Sequence, residues 1–268
     1  MNLSSHPLRK RFGQNFLQDK NILQKMQFNI QPSINDHIVE IGPGLGALTA
    51  FIQPHCQRFD AIEIDRDLIE KLSLLFSKAK QFYLHQADAL KFDFARIIQS
   101  NKKIRVIGNL PYNISTPLIF HVLDYATQIQ DCYFLLQKEV VDRLCAKPGN
   151  KDYGRLSVMT QYRCQTQSLF IVSPDAFFPK PKVTSAFVRV IPYDTLPSVA
   201  NDFQTLQNVV RQVFSQRRKT IRNTLKKFLS SEQLIALNLN PLSRPEELSV
   251  AEFVSISNAI KLESGNYF

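Results

Sequence analysis

Cysteine is scarce in this chain and scattered. Cys56, Cys132, Cys145 and Cys164 form no Cys-x-x-Cys pair and have no histidine cluster near them, which argues against a zinc site and against a disulfide framework. They read as reduced, mostly buried thiols of an intracellular protein. Long apolar runs are missing too: no uninterrupted apolar span can cross a bilayer, and Met1 to Gln14 has basic residues without the apolar core of a secretion signal. A soluble cytoplasmic protein is expected. No internal repeat, low-complexity tract or coiled-coil heptad stands out, so a monomer is the default. Acids are also short, with 23 Asp and Glu against 33 Lys and Arg, a net charge of +10. That balance favours a polyanionic partner, nucleic acid ahead of an anionic membrane.

What is present is enough for a sizeable core. The 268 residues, 44% hydrophobic, suffice for one large domain and one small. The chain is organised around Ile107-Gly108-Asn109-Leu110-Pro111-Tyr112-Asn113. Ile104 to Ile107 reads as a buried parallel strand that breaks at Gly108, and the ends of such strands are where open α/β sheets place ligand sites. The residue types there suit one chemistry. An exocyclic nucleobase amine is a poor nucleophile because its lone pair is delocalised into the ring, and hydrogen-bond acceptors draw that pair back onto nitrogen. The Asn109 side-chain oxygen can accept one amine hydrogen and a backbone carbonyl beside Pro111 the other. Tyr112 offers a face for a base taken out of its stack. An ordinary turn uses the same residue types, so the rest of the chain has to decide.

Three further strand ends decide it. His37 to Ile41 reads as a strand running into Glu40-Ile41-Gly42-Pro43-Gly44-Leu45-Gly46 and a short helix, Ala47 to Ile52. Glycines at a strand-to-helix turn let backbone approach a ligand closely. The Gly-x-Gly-x-Gly spacing lacks the Gly-x-Gly-x-x-Gly of dinucleotide sites, which points to a smaller adenosine ligand. Phe59 to Ile64 is a second strand ending in Glu63, about twenty residues past the loop, where an acid can hold ribose hydroxyls. Asp65 reads as the cap of a helix from Leu68 to Phe76. Phe82 to Gln86 is a third strand, ending at Asp88, which suits either an adenine amine or a helix cap. Glu40, Glu63, Asp88 and Asn109 thus converge on one crevice.

The basic residues fall in three places. Arg9, Lys10 and Arg11 precede Phe12, Phe16 and Leu17, an arm expected to fold back on the body. Lys180 and Lys182 sit in a proline-stiffened loop after Phe177 and Phe178, and Phe177 is expected to sandwich a base against Tyr112. From Arg211 to Lys227 there are seven basic residues and no acid. A helix over Arg217 to Leu229 would put Arg218, Arg222 and Lys226 on one face. With Arg217 and Lys219 they read as contacts to a phosphate backbone. Other segments read as helices over Thr116 to Tyr125, Gln137 to Leu144, Leu156 to Tyr162, Phe203 to Phe214, Glu232 to Leu237 and Val250 to Ile260. Strands are expected over Cys132 to Leu136, Leu169 to Val172 and Ala186 to Ile191. A boundary near Tyr193 to Asn201 separates a domain over 1–195 from a helical one over 196–268.

Taken together, these residues resemble the class I methyltransferases, and more closely the rRNA adenine N6,N6-dimethyltransferase family of the KsgA/RsmA type. The likeness is carried by Lys10 to Leu17, Glu40 to Gly44, Asn109 to Tyr112, Gln137 to Val140, Tyr153 to Ser157, Phe177 to Val183 and Arg217 to Thr220. The chain departs from the family at Ser173 and Lys180, where proline is frequent. The resemblance implies a Rossmann-like α/β sheet with helices on both faces plus a small all-α carboxyl-terminal domain. It implies S-adenosylmethionine as cofactor, no metal, and dimethylation of two adjacent adenosines near the 3′ end of small-subunit rRNA, with an immature small ribosomal subunit as partner. Carried over by position, Asn15, Leu17, Gly42, Glu63, Asp88 and Asn109 hold the cofactor, with Glu40 near its methionine end and Gly44 in the same loop. Asn109, Leu110, Tyr112 and Phe177 handle the base. Three alternatives remain: a large-subunit adenine-N6 methyltransferase of the macrolide-resistance type; a DNA adenine or protein glutamine methyltransferase, which would usually carry Asn-Pro-Pro-Tyr where this chain has Leu110; and a binding protein that acts mainly as an assembly checkpoint.

Overall fold

The computed structural model describes residues 14–99 and 102–260. Arg9, Lys10 and Arg11 lie outside them. Two compact units emerge. The first extends to Val141 and resumes over Gln167–Pro192, and the second takes Asp142–Thr166 and the residues from Tyr193 on.

In chain order the elements are β1 (Phe16–Leu17), α1 (Lys20–Ile30), β2 (His37–Ile41), α2 (Ala47–Ile52), β3 (Arg58–Glu63), α3 (Arg66–Leu75), β4 (Phe82–Gln86), β5 (Ile104–Asn109), α4 (Ser115–Leu123) and β6 (Ile129–Gln137). The chain leaves the first unit within α5 (Lys138–Cys145), forms α6 (Arg155–Gln161) and returns along β7 (Cys164–Val172). Then come β8 (Phe177–Phe178), β9 (Ser185–Pro192), α7 (Phe203–Ser215), α8 (Ile221–Leu225), α9 (Ser231–Ala236) and α10 (Val250–Ala259).

Seven strands form one mixed sheet in the order β4-β3-β2-β5-β6-β9-β7. The five from β4 to β6 are parallel, and β9 runs antiparallel to β6. Every residue of β2 is buried, on both pleat faces. Burial of successive residues requires cover on both sides of the sheet, as a parallel α/β arrangement supplies. On one side Leu23, Met26 and Ile30 of α1 pack with Leu48 and Ile52 of α2 over Ile38, Phe59, Ala61 and Ile107. The chain steps outward from β2 through β3 to β4, then comes back as β5 on the other side of β2. That reversal opens a crevice at the carboxyl ends of β2 and β5.

Two details place β5, the strand that ends at Asn109. A methyl group on Gly108 would lie 2.5 Å from the Ile41 carbonyl oxygen, so glycine alone lets β5 approach the end of β2. At the opposite end the buried Arg105 guanidinium bonds Asp131 at 2.8 Å, Asp36 at 2.7 Å and the Ile30 carbonyl at 2.6 Å. It fastens β5 to β6, to α1 and to the turn before β2. Breaking such a buried pair typically costs about 3–5 kcal/mol.

The second unit departs from the sequence expectation in two ways. It includes Asp142–Thr166, which was expected in the first domain. The reason is packing: the Tyr153 ring meets Phe214 of α7 at 6.4 Å, Tyr162 stacks on Phe203 at 5.7 Å, and the Gly149 amide bonds the Glu246 carbonyl at 2.7 Å. The basic helix expected over Arg217 to Leu229 is only Ile221–Leu225, with Arg217, Arg218 and Lys219 in the preceding turn. Continuation from Arg217 would need the Ile221 and Arg222 amides to bond the Arg217 and Arg218 carbonyls. They bond Ser243 and Pro241 instead, at 2.9 and 3.1 Å.

Candidate active site

The loop after β2 starts the site. Gly42, Gly44 and Gly46 have φ of 68°, 59° and 79°, a left-handed conformation that a side chain would strain. Gly44 is also pressed by the Phe16 ring, which a Cβ would meet at 2.9 Å. The Gly44 amide points at Glu63 Oε2, 3.3 Å away, while Glu63 Oε1 accepts from the Ile64 and Asp65 amides at 2.9 Å each. Burial pushes the Glu63 carboxyl above its ordinary range, and these three amides pull against that shift. Asp65 caps α3, accepting from the Asp67 amide at 3.2 Å. Glu40, buried inside the crevice, accepts from the Thr49 hydroxyl at 2.5 Å, and burial, with the nearby Glu63 charge, pushes it up to about 8. Neither Glu40 nor Glu63 has a basic partner among the described residues, and both face the crevice.

Asp88 caps no helix: its Oδ1 accepts from the Leu90 amide at 3.0 Å within a turn over residues 89–91. It lines the crevice as well, so that bond does not take it away from a ligand.

Asn109 stands at the end of β5. Its Nδ2 donates to the Asn15 carbonyl at 2.8 Å. A carbonyl only accepts, so the amide nitrogen must face it and Oδ1 must face away as an acceptor. Leu110 is 1% exposed, its amide bonded to the Leu135 carbonyl at 3.2 Å. No donor among the described residues takes the Leu110 carbonyl. The Tyr112 hydroxyl lies 2.6 Å from Ser185 Oγ, and burial raises its pKa. That bond holds the ring at the crevice wall.

The arm folds back as expected over its described part. Phe16 pairs with Phe178 and Leu17 with Phe177, and Gln14, Asn15, Phe16 and Leu17 line the crevice with Glu40, Gly42, Gly44, Glu63, Asp88, Asn109, Leu110 and Tyr112. The crevice holds about 250 Å³. One expected residue is not in it. Phe177 is 5% exposed and buried in the core with Leu17, whereas Phe178 is 49% exposed. Opposed residues of a strand pair project to one side and neighbours to opposite sides, so Leu17 and Phe177 turn inward together while Phe178 shares the side of Phe16. The sandwich of Phe177 against Tyr112 is therefore corrected: Phe177 is a core residue here, and Phe178 is the open ring. Three residues of the site carried no role in the sequence reading. Alternation in the arm could have marked Phe16. Gln14 had no separate signal, and Ser185, 73 residues from its partner, had none at all.

Of the expected phosphate contacts, Lys180 and Lys182 are exposed in the first unit, Lys180 paired with Asp175. In the second unit Arg218, Lys219, Arg222 and Lys226 are exposed, while Arg217 pairs with Glu246 at 3.7 Å and bonds the Lys151 carbonyl. Among the described residues no group of three or more His, Cys, Asp or Glu could hold a metal ion, and no helix is long and apolar enough to cross a membrane.

A family model described as ribosomal RNA adenine dimethylase matches residues 5–262. The chain belongs to the ribosomal RNA adenine dimethylase family. It is 52% identical over 264 residues to a ribosomal RNA small subunit methyltransferase A from Pseudomonas aeruginosa, covering 98% of each chain. To the protein of the same name from Marinomonas sp. it is 51% identical, over 97% of this chain and 98% of that one. Among solved structures, a dimethyladenosine transferase from Plasmodium falciparum superposes with a TM-score of 0.77 at 24% identity, over 90% of this chain and 95% of that one. The 23S rRNA methyltransferase ErmE superposes at 0.72 and 20% identity, over 92% and 99%. Both likenesses show the Rossmann-like fold of rRNA methyltransferases. As a member of the dimethylase family, the protein is an rRNA adenine dimethyltransferase, an enzyme that transfers methyl groups.

Proposed function

We infer that this protein dimethylates the N6 amines of two adjacent adenosines in the 3′-terminal hairpin of small-subunit rRNA during ribosome biogenesis, with S-adenosylmethionine as methyl donor. The observation that carries the reading is the pair of acceptors at the end of β5: Asn109 Oδ1, turned outward by the Asn15 carbonyl, and the Leu110 carbonyl, which no donor among the described residues takes. Two acceptors on one amine localise its lone pair on nitrogen. Tyr112, held by Ser185, supports the extracted base. The names of relatives about half identical along the whole chain support the small subunit as source of the RNA.

The crevice suits the donor. Two buried carboxylates without a basic partner fit a ligand that carries positive charge and hydroxyl groups. Glu63 would take the ribose, Asp88 the adenine amine and Glu40 the methionine end, with Asn15, Leu17, Gly42, Gly44 and Asn109 completing the site. When bound, the donor supplies an electrophilic methyl group on a sulfonium. The protein's own part is alignment, exclusion of water and acceptance of the amine hydrogens, with no covalent enzyme intermediate. Lys180, Lys182, Arg218, Lys219, Arg222 and Lys226 would hold phosphates, and Arg9, Lys10 and Arg11 belong to the same proposal. The protein is taken to work as a cytoplasmic monomer.

The test is transfer of labelled methyl groups to unmethylated small ribosomal subunits, with large subunits and DNA alongside, followed by nucleoside analysis. Dimethyladenosine confined to small-subunit RNA is expected. Label confined to large-subunit RNA would overturn the substrate, and an inactive variant that still supports subunit maturation would shift weight to a checkpoint role.

A further inference from the structure

Two consecutive arm residues reach opposite walls of the crevice. Gln14 Nε2 donates to Asp65 Oδ2 at 3.1 Å, and the Asn15 carbonyl accepts from Asn109 Nδ2 at 2.8 Å. Asp65 is fully buried at the start of α3, and its amide holds Glu63 Oε1 at 2.9 Å. Asn109, the acceptor assigned above to the amine, stands on the other side. Because the Asp65 carboxylate only accepts, Gln14 must present nitrogen to it, which leaves Gln14 Oε1 buried on the crevice wall without a donor. A ligand hydroxyl in the crevice would satisfy that oxygen, so a bound ligand and the closed arm favour each other. Farther along, the Gln18 amide bonds the Ala176 carbonyl at 2.9 Å, which closes the arm over the β8 segment.

We propose that Gln14 is a positioning residue: its bond to Asp65 latches the arm shut, and the latched arm places the Asn15 carbonyl that orients Asn109. The acceptor geometry at the reacting amine is thereby set from the cofactor wall of the crevice. Without the latch Asn109 is free to turn its amide, presenting N–H groups where the reaction needs an oxygen. This inference rests on the methyl-transfer reading, so one of its measurements is independent of catalysis.

The experiment compares wild type with Gln14→Ala, Gln14→Glu, Asp65→Asn and the double variant Gln14→Glu/Asp65→Asn. Gln14→Glu sets two carboxylates against each other. In the double variant donor and acceptor exchange places: the asparagine introduced at position 65 can still cap α3 through Oδ1, while its Nδ2 donates to the carboxylate introduced at position 14. Two quantities are read: kcat for methyl transfer to unmethylated small subunits at saturating S-adenosylmethionine, and amide exchange at Gln18 with and without S-adenosylmethionine. Misorientation of a reacting group is worth about 10- to 100-fold. Gln14→Glu is expected to lower kcat by that factor and speed Gln18 exchange, with the double variant recovering both to within about threefold of wild type. S-adenosylmethionine should slow Gln18 exchange in wild type and much less in Gln14→Ala. A double variant no better than Gln14→Glu, or Gln14→Ala with wild-type kcat and exchange, would overturn the latch. If wild type methylates no small-subunit RNA, the functional reading fails, and Gln18 exchange still decides the latch.

Discussion

Glu40 lines the crevice and is held by Thr49: the Thr49 hydroxyl donates to Glu40 Oε2 at 2.5 Å, and both side chains are buried. Burial lifts the Glu40 carboxyl from 4.5 to about 8, so below that pH the ligand-free protein holds it protonated. A cationic ligand favours the carboxylate, so binding it must release a proton.

The first prediction follows from that linkage. Affinity for S-adenosylmethionine should rise with pH up to about 8 and level off above, while Glu40→Gln shows no rise. Stability runs the other way. A carboxyl with a raised folded pKa contributes stability below its unfolded value, here near 4.5, and loses it as pH rises through about 8. Glu40→Gln can still accept from Thr49, so its thermal midpoint should gain on wild type between those two pH values. Calorimetry of both proteins across that window checks both statements, and a flat wild-type binding profile would count against Glu40 facing the cation.

Asn109→Ala removes one acceptor and leaves the Leu110 carbonyl. Loss of a single electrostatic contact of this kind costs about 10²–10³ in kcat. The variant should still bind rRNA, since no phosphate contact is touched. Asn109→Asp is informative beside it. Its carboxylate cannot donate to the Asn15 carbonyl, so the arm should loosen even though an acceptor remains. Single-turnover methylation with a parallel RNA-binding titration checks both, and near-normal transfer by Asn109→Ala would remove Asn109 from the amine.

The two rings of β8 should respond in opposite ways. Phe177→Ala empties a core site, which typically costs about 3–5 kcal/mol of stability. Phe178→Ala removes a ring that is 49% exposed and should leave the thermal midpoint nearly unchanged. If the open ring meets the RNA, Phe178→Ala weakens RNA binding by about 1–3 kcal/mol, the usual worth of one stacked base. Denaturant unfolding and RNA titration of the two variants separate the roles.

These rings also show what local sequence could not reveal. The strands over His37–Ile41 and Phe82–Gln86 and the helix over Ala47–Ile52 are read to the residue, because apolar runs with glycine or acidic stops are local signals. The same holds for the strand ends that bring Glu40, Glu63, Asp88 and Asn109 together, since parallel topology follows from element order. Strands β1 and β8 have two residues each, and their pairing joins Phe16 to Phe178 and Leu17 to Phe177 across most of the chain. Which phenylalanine faces inward depends on that pairing, and no local pattern encodes it. Helix α1 was absent from the sequence reading although its signals were present: Asp19 accepts from the Asn21 amide, and Leu23, Met26 and Ile30 share its buried face. The basic helix failed for the opposite reason, because amides that would have continued it are taken by Pro241 and Ser243.

That shortened helix bears on the last prediction. Arg218 lies in the turn before α8, Arg222 within it and Lys226 just after it, all exposed and without an acid in the segment. Repulsion among like charges is tolerated where phosphates neutralise them, and each neutralised phosphate contributes a slope of about 0.7–0.9 to log K against log salt. Replacing all three with alanine should lower the salt slope of RNA binding by about 2–3 and weaken affinity almost equally for any sequence. Turnover at saturating substrate should change little, because none of the three lines the crevice. Lys180→Ala should do less. Its ammonium is already shared with Asp175, so its phosphate contact contributes less to the slope than each of the three. Fluorescence titrations over a range of salt measure the slopes, and a triple variant with the wild-type slope would take phosphate binding away from this segment.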